Sequence, residues 1–233
     1  MRYEQASSVQ TEDSSSENHD VAAIVLAAGR SQRMGAFKPL LPFGETTVVG
    51  SCLRYLREAG VLTIILVVGH RAEELKNRIS DSNLIFVTNP DTNGEMSSSI
   101  VCGVNELSPE TKAILITPAD LPAVPSKVVS QLITEWRRGH RLVKPTWQGR
   151  GGHPVLIDNS FREELIHLNP TQGLKNLFDR NVDQVRRLPI DSSYIARDID
   201  TWDDYATLHV EVFGQLPPAV PSAAELGAEP QTN

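Results

Sequence analysis

The sequence predicts an α/β domain in which helices cover a mostly parallel sheet, and three observations carry that prediction. Short β-branched runs alternate with amphipathic stretches along most of the chain. Hydrophobic residues make up 40% and charged residues 22%, which is the balance of a globular protein rather than a disordered or membrane-spanning one. A length of 233 residues suits one domain with a sizeable core and is short for two.

The elements follow in order. Residues 1–20 are polar and serine-rich without apolar periodicity, so a flexible leader is expected before a single domain over residues 21–213. Ala22–Leu26 reads as the first strand. Thr47–Ala59 reads as a helix with Val48, Cys52, Leu53 and Leu56 on one face and Gly60 placed to end it. Val61–Val68 is then a buried strand, Ala72–Ile79 a helix, Leu84–Val87 a strand and Ser97–Leu107 a helix. Ala113–Thr117 reads as a further strand, and Ser126–Arg138 as a helix preceded by Pro125. Beyond Arg141, strands at Leu142–Pro145 and Pro154–Ile157 flank a glycine-rich turn, and short helices are expected at Ser160–His167 and Gln172–Asp179. A last strand at Val185–Leu188 should stop at Pro189, and Trp202–Phe213 closes the fold as a helix. Residues 214–233, rich in Pro, Ala and Glu, read as a loose tail.

Composition also excludes. The longest apolar run, Val61–Val68, is too short to cross a bilayer, and the first residues lack a basic-then-apolar signal pattern. Cys52 and Cys102 lie in apolar segments, which argues against a disulfide framework and for a cytoplasmic home. A formal net charge of −7 weighs against a nucleic-acid partner, although a few cations in a cleft can still serve an anionic substrate.

The most informative segment is the first strand, which runs into Ala27-Ala28-Gly29-Arg30-Ser31-Gln32-Arg33-Met34-Gly35 and on to Lys38. Small residues let backbone N–H groups approach phosphates, and Arg30, Arg33 and Lys38 bring cations to the same loop. The lysine spacing is not that of a P-loop, and there is no Gly-x-Gly-x-x-Gly turn. An ordinary solvated basic loop is the plainer alternative. The strand Ile114–Thr117 leads through Pro118 and Ala119 to Asp120, which falls at the carboxyl end of a strand where α/β sheets bind ligands. A turn aspartate satisfying nearby amides would look the same. Ser97, Ser98 and Ser99 stand at the start of a helix, where an N-cap and its neighbours would explain them. In Gly149-Arg150-Gly151-Gly152-His153, glycines permit close backbone approach to a ligand beside Arg150 and His153; a hairpin turn and a packed histidine are the alternatives. The His and Cys residues show no zinc-ligand spacing.

Leu26-Ala-Ala-Gly-Arg-Ser-x-Arg-Met-Gly followed by Lys38-Pro39-Leu40-Leu41 resembles the signature of the nucleotidyltransferases related to molybdenum-cofactor enzymes, most closely their molybdopterin cytidylyltransferase branch. The resemblance runs from about Val21 to about Leu208. It implies a Rossmann-like three-layer α/β/α sandwich of the nucleotide-diphospho-sugar transferase type, and transfer of CMP from CTP to the terminal phosphate of molybdopterin. Leu26, Ala27, Ala28, Gly29, Arg30, Ser31, Arg33, Lys38, Ser99, Pro118 and Ala119 would then bind the nucleotide. Ala28, where the guanylyltransferase branch has glycine, and Ser99, on the cytosine edge, favour CTP. Arg33, Lys38 and Asp120 would be catalytic, with Asp120 and Asp200 holding magnesium, or manganese in its place. Arg150, Gly152 and His153 would meet the phosphorylated pterin, and Thr171-Gln172-Gly173-Leu174 would line its pocket. The closing segment Asp198-Ile199-Asp200-Thr201-Trp202-Asp203-Asp204-Tyr205 departs from the family pattern at Trp202, where proline is expected, and at Asp203, where glutamate is. A client molybdoenzyme is the implied macromolecular partner. The alternatives are another nucleotide, a sugar or cyclitol phosphate acceptor, or a non-catalytic cofactor-binding chaperone.

Overall fold

The β-branched runs assemble into one eight-stranded sheet because their apolar residues alternate between two faces, and each face needs a layer of helices to exclude water. The structure, a computed structural model, describes residues 18–29, 34–69, 71–79, 81, 83–91 and 96–218. In chain order the elements are β1 (Asn18–Ala27), β2 (Pro42–Phe43), β3 (Thr46–Thr47), α1 (Val48–Glu58), β4 (Val61–Val68), α2 (Ala72–Arg78), β5 (Leu84–Thr88), α3 (Met96–Asn105), β6 (Ala113–Pro118), α4 (Ser126–Arg137), β7 (Leu142–Trp147), β8 (Arg150–Gly151), β9 (Val155–Asp158), α5 (Arg162–Ile166), α6 (Gly173–Arg180), β10 (Val185–Pro189) and α7 (Trp202–Phe213).

The strand order is β10-β7-β9-β6-β1-β4-β5, with β8 paired to β7 and a separate β2-β3 hairpin. β9 runs antiparallel to β6 and β7; the β1, β4, β5, β6 core and the β7–β10 pair are parallel. Along β1, Ala23, Val25 and Ala27 face the layer that contains α1 and α4, while Ala22, Ile24 and Leu26 face α3, α5 and α6. Gly103 shows how closely α3 lies on the sheet: a Cβ there would stand 2.6 Å from Ile24 Cγ2. A smaller third cluster, with Phe43, Val48, Ile199 and Tyr205, fastens α7 to the β2-β3 hairpin.

Several boundaries differ from expectation by one or more residues, and two of them do so for polar reasons. β1 begins at Asn18, ahead of the expected Ala22, because Asn18 is tied down by three hydrogen bonds: its N–H donates to Gly60 O, its Nδ2 to Ala59 O, and its Oδ1 accepts from Arg137. β10 runs through Pro189 instead of stopping before it, since an edge strand tolerates a missing donor and Ile190 N resumes the ladder to Thr146 O at 2.8 Å. Among the described residues no helix is long and apolar enough to cross a membrane.

Candidate active site

Register sets the site. Leu26 of β1 pairs with Pro118 of β6, so the two parallel strands end side by side and release Ala28-Gly29 and Ala119-Asp120 at the same edge. The chain leaves β1 towards β4 on one side and returns at β6 on the other, which is the switch point where open sheets form a ligand crevice. A cleft of about 270 Å³ opens there. Its walls include Leu26, Ala27, Ala28, Gly29, Lys38, Ser99, Pro118, Ala119 and Asp120, all marked from the sequence, and also Pro39, Asn89, Asp91 and Met96, which were not. Arg30, Ser31 and Arg33 lie outside the described residues.

Lys38 opens a single 3-10 turn, Lys38–Leu40, between extended Phe37 and Leu41. Its side chain is 11% exposed, and Nζ donates to Asp200 Oδ1 at 2.7 Å while lying 3.8 Å from Asp120 Oδ2. Asp200 reaches it from the far end of the chain because buried Ile199 donates its N–H to Asp120 O at 3.1 Å. Thr201 then caps α7 in a reciprocal box with Asp204, so Asp204 serves the helix start. Trp202, in the position where the family resemblance has proline, donates its indole N–H to Met34 O at 3.1 Å, tying α7 to the residue that follows the glycine loop.

The Asp120 loop is also held from beneath by α1. Ser51 Oγ donates to Pro122 O at 2.8 Å, and Cys52 Sγ to Ala119 O at 3.4 Å. Burial, with the Asp120 charge adding, pushes the Cys52 thiol far above its ordinary value, so it remains a donor. Asp120 itself is pushed up to about 6, chiefly by burial; Lys38 opposes that rise, while Asp198 and Asp200 add to it. No group of three His, Cys, Asp or Glu among the described residues is arranged to hold a metal by itself. Two carboxylates at one crevice do match magnesium, which retains waters and takes one or two protein carboxylates alongside phosphate oxygens.

On the opposite wall, buried Asn89 organises two elements. Its Nδ2 donates to Ser98 Oγ at 2.9 Å and Ser99 Oγ at 3.0 Å, and its Oδ1 accepts from Asp91 N at 3.0 Å. Ser99 Oγ thus accepts from Asn89, which leaves its O–H available as a donor. An asparagine just past a strand end was the signal available for this residue, and alone it does not differ from a turn former.

A second cleft, of about 330 Å³, shares Met96 with the first and is walled by Ser97, Lys144, His153, Val155, Pro170, the segment Thr171–Lys175 and Phe178. Thr171-Gln172-Gly173-Leu174 therefore lies in a pocket wall. Of the expected acceptor residues, only His153 joins it. Gly152 is buried and belongs to packing: a Cβ would sit 2.4 Å from Ile195 O, and the glycine lets His153 N bond that same carbonyl at 2.8 Å. Arg150 is exposed on β8 opposite Trp147 and lines neither cleft. Burial lowers the His153 pKa, and its Nδ1 lies 3.4 Å from Ile116 O, a contact that only a protonated Nδ1 can make. The neutral ring therefore offers a lone pair at Nε2 in place of the donor an anion needs.

Comparison with known proteins gives the family and the fold relatives of the chain. The family model of the MobA-like NTP transferase domain matches residues 23–185. Molybdenum cofactor cytidylyltransferase of Escherichia coli K12 is 26% identical over 189 residues, spanning 80% of this chain and 94% of that protein. The Rv0371c homologue from Mycobacterium sp. strain JC1 superposes with a TM-score of 0.74 at 29% identity, covering 83% of this chain and 96% of its own. Rv0371c of Mycobacterium tuberculosis H37Rv, solved in complex with manganese, gives 0.71 at 28% identity, covering 81% and 97%. Its fold, its crevice at the β1/β6 switch point and these similarities agree: the chain belongs to the MobA-like NTP transferase domain family and is a nucleotidyltransferase.

Proposed function

We propose that the protein transfers CMP from CTP to the terminal phosphate of molybdopterin, releasing pyrophosphate. The observation that carries this reading is the convergence of Lys38 with Asp120 and Asp200, residues distant in sequence, beside the β1/β6 cleft. The likeness to a molybdenum cofactor cytidylyltransferase along most of both chains supports the choice of acceptor.

In the proposed step, an oxygen of the acceptor phosphate attacks the α-phosphorus in line. One P–O bond forms, the bond to the β-phosphate bridge breaks, and pyrophosphate leaves with the electron pair. The nucleophile is already anionic at neutral pH, so positioning and charge neutralisation do the catalytic work in place of a strong base. The small side chains of Ala27, Ala28 and Gly29 leave the backbone open to the nucleotide, and Lys38, joined by Arg33 on the sequence reading, neutralises the departing pyrophosphate. The Ser99 O–H has an acceptor to meet in cytosine O2 or N3, which is the basis for CTP. Asp120 and Asp200 would hold magnesium, which when bound supplies positive charge to the phosphate oxygens.

The test is turnover by the purified chain with CTP, GTP or ATP against molybdenum-loaded molybdopterin, read as pyrophosphate release. Parallel reactions contain sugar and cyclitol phosphates. The expected result is release that requires CTP, magnesium and the pterin. Nucleotide binding without turnover on any acceptor would point instead to a cofactor carrier.

A further inference from the structure

Lys144 sits in the middle of β7, where the neighbouring residues are apolar, and its surroundings are those of a site built around a cation. Its chain passes through a notch that Gly151 leaves open: a Cβ at Gly151 would stand 2.2 Å from Lys144 Cε and 2.8 Å from Nζ. Its ammonium lies 5.4 Å over the ring centre of buried Phe178. Among the described residues no carboxylate comes within ion-pair distance of it. Its register partner on β10 is another cation, Arg187, and Lys175 lines the same cleft from α6. Exposed Arg187 and Lys175 therefore add positive charge around Lys144, which favours an anion in the cleft.

We propose that the second cleft seats the acceptor's anionic group, a phosphate monoester, and that Lys144 is the residue that binds it, with Lys175 contributing at the rim. The inference deepens the transferase reading and rests on it for the identity of the ligand. Several groups set the charge on Lys144: burial disfavours the ammonium most, Arg187 and Lys175 add to that, and Asp179 opposes. A desolvated, unpaired cation binds an oxyanion more strongly than a solvated one. His153 complements it without duplicating it. With Nδ1 turned to Ile116 O, the neutral ring can accept a hydrogen bond at Nε2 from an N–H or O–H of the acceptor body, while the lysine takes the phosphate.

The test uses inorganic phosphate as the probe, titrated at constant ionic strength and followed by the rise in Tm that binding to the folded state produces. The full chain is titrated without nucleotide and again with CTP and magnesium saturating the first cleft. Three variants are compared. Lys144→Gln removes the charge; Gly151→Ala fills the notch and displaces the ammonium; Lys127→Gln removes an exposed lysine on α4 as a control. Saturable phosphate binding that survives CTP and weakens about tenfold or more in both cleft variants, as loss of a charge-assisted hydrogen bond requires, supports the site. Lys127→Gln should titrate as the wild type does. The proposal is overturned if Lys144→Gln binds phosphate like the wild type, if the wild type shows no saturable binding, or if CTP abolishes the binding, since the ion then belongs to the first cleft. The nucleotide-free titration does not depend on turnover, so absence of pyrophosphate release would count against the transferase reading and leave this result standing.

Discussion

The two clefts meet at Met96 yet treat their lysines in opposite ways. Lys38 is held by carboxylates before any ligand arrives, bonded to Asp200 and close to Asp120. Lys144 is packed against Phe178, faces Arg187 in register, and has no carboxylate within ion-pair distance among the described residues. The difference teaches what each side is prepared for. The first cleft presents a fixed set of opposite charges, suited to a ligand that itself carries both signs, such as a metal-bound triphosphate. The second presents a lysine with no ion-pair partner among the described residues, suited to a bare oxyanion.

The comparison breaks most decisively at the first cleft. Lys38→Ala or Asp120→Asn should lower kcat/KM for pyrophosphate release by about a hundredfold to a thousandfold, the range seen when a group that stabilises developing charge is removed. Circular dichroism at the assay temperature separates this from loss of folding. A variant that kept full turnover would show that the convergence on Lys38 is structural, and the assignment of the two clefts would lose its reference point.

This asymmetry also governs what the sequence disclosed. The first cleft is carried by contiguous segments, because a strand end, a glycine loop and a nearby lysine form one local device. Leu26–Gly29, Lys38 and Pro118–Asp120 could therefore be read before any fold was known. Asp200 needed the family pattern, since only the Ile199–Asp120 backbone bond explains how residue 200 meets residue 38. Asn89 was missed because its importance lies in tertiary partners, Ser98, Ser99 and the Asp91 amide, and its local sequence reads as a turn. The expected acceptor segment, Gly149–His153, contributes only His153 to the second cleft. Its glycines were taken as ligand-facing, but Gly152 clears space for the Ile195 carbonyl and Gly151 for Lys144. Lys144 stands in a short apolar strand, and strand alternation cannot say whether such a residue meets solvent or a cleft. For the fold, periodicity located the long elements well; Val61–Val68 and Trp202–Phe213 have the expected ends. It could not find β2, β3 or β8, two-residue strands too short to carry a period.

Stability should separate the two lysines by sign. Lys38→Met leaves Asp120 and Asp200 facing each other without their cation, and unfolding free energy should fall by about 1–2 kcal/mol, a value reduced from that of a buried pair because both carboxylates are partly solvated. Lys144→Met keeps the aliphatic packing and removes a charge the fold disfavours, so its Tm should equal or exceed that of the wild type by up to about 2 °C. The pH dependence follows from the same shift. The folded pKa of Lys144 lies below the ordinary 10.5, so its charge costs stability at every pH below the lowered value. That cost fades as pH rises from the lowered value towards 10.5. The advantage of Lys144→Met, measured by denaturant titration between neutral and alkaline pH, should shrink accordingly. A wild type more stable than Lys144→Met at neutral pH would mean that this lysine is held as a structural residue, and the contrast between the clefts would fail.

The smallest effect tests the scaffold under the second cleft. β7 carries Lys144, and its outer neighbour β10 is fastened to α4 through buried Glu135, whose carboxylate accepts from Arg186 Nε at 2.7 Å and from Arg138 Nη1 at 2.5 Å. The Arg186 hydrogen bond, more than any other contact, holds the Glu135 carboxyl below its usual 4.5. A depressed carboxylate stabilises the fold fully above the unfolded value and loses that contribution as pH falls through the lowered folded value. Glu135→Gln should therefore lower Tm by no more than about 1 °C at neutral pH, and the gap from the wild type should close as acid is added below 4.5. Nucleotide binding in the first cleft should be unchanged, since β1 and β6 are paired to each other and not to β10. Phosphate binding at Lys144 is the sensitive readout, because loosening β10 moves Arg187 relative to its register partner. If Glu135→Gln weakened nucleotide binding more than phosphate binding, the sheet edge would be coupled to the wrong cleft for this account.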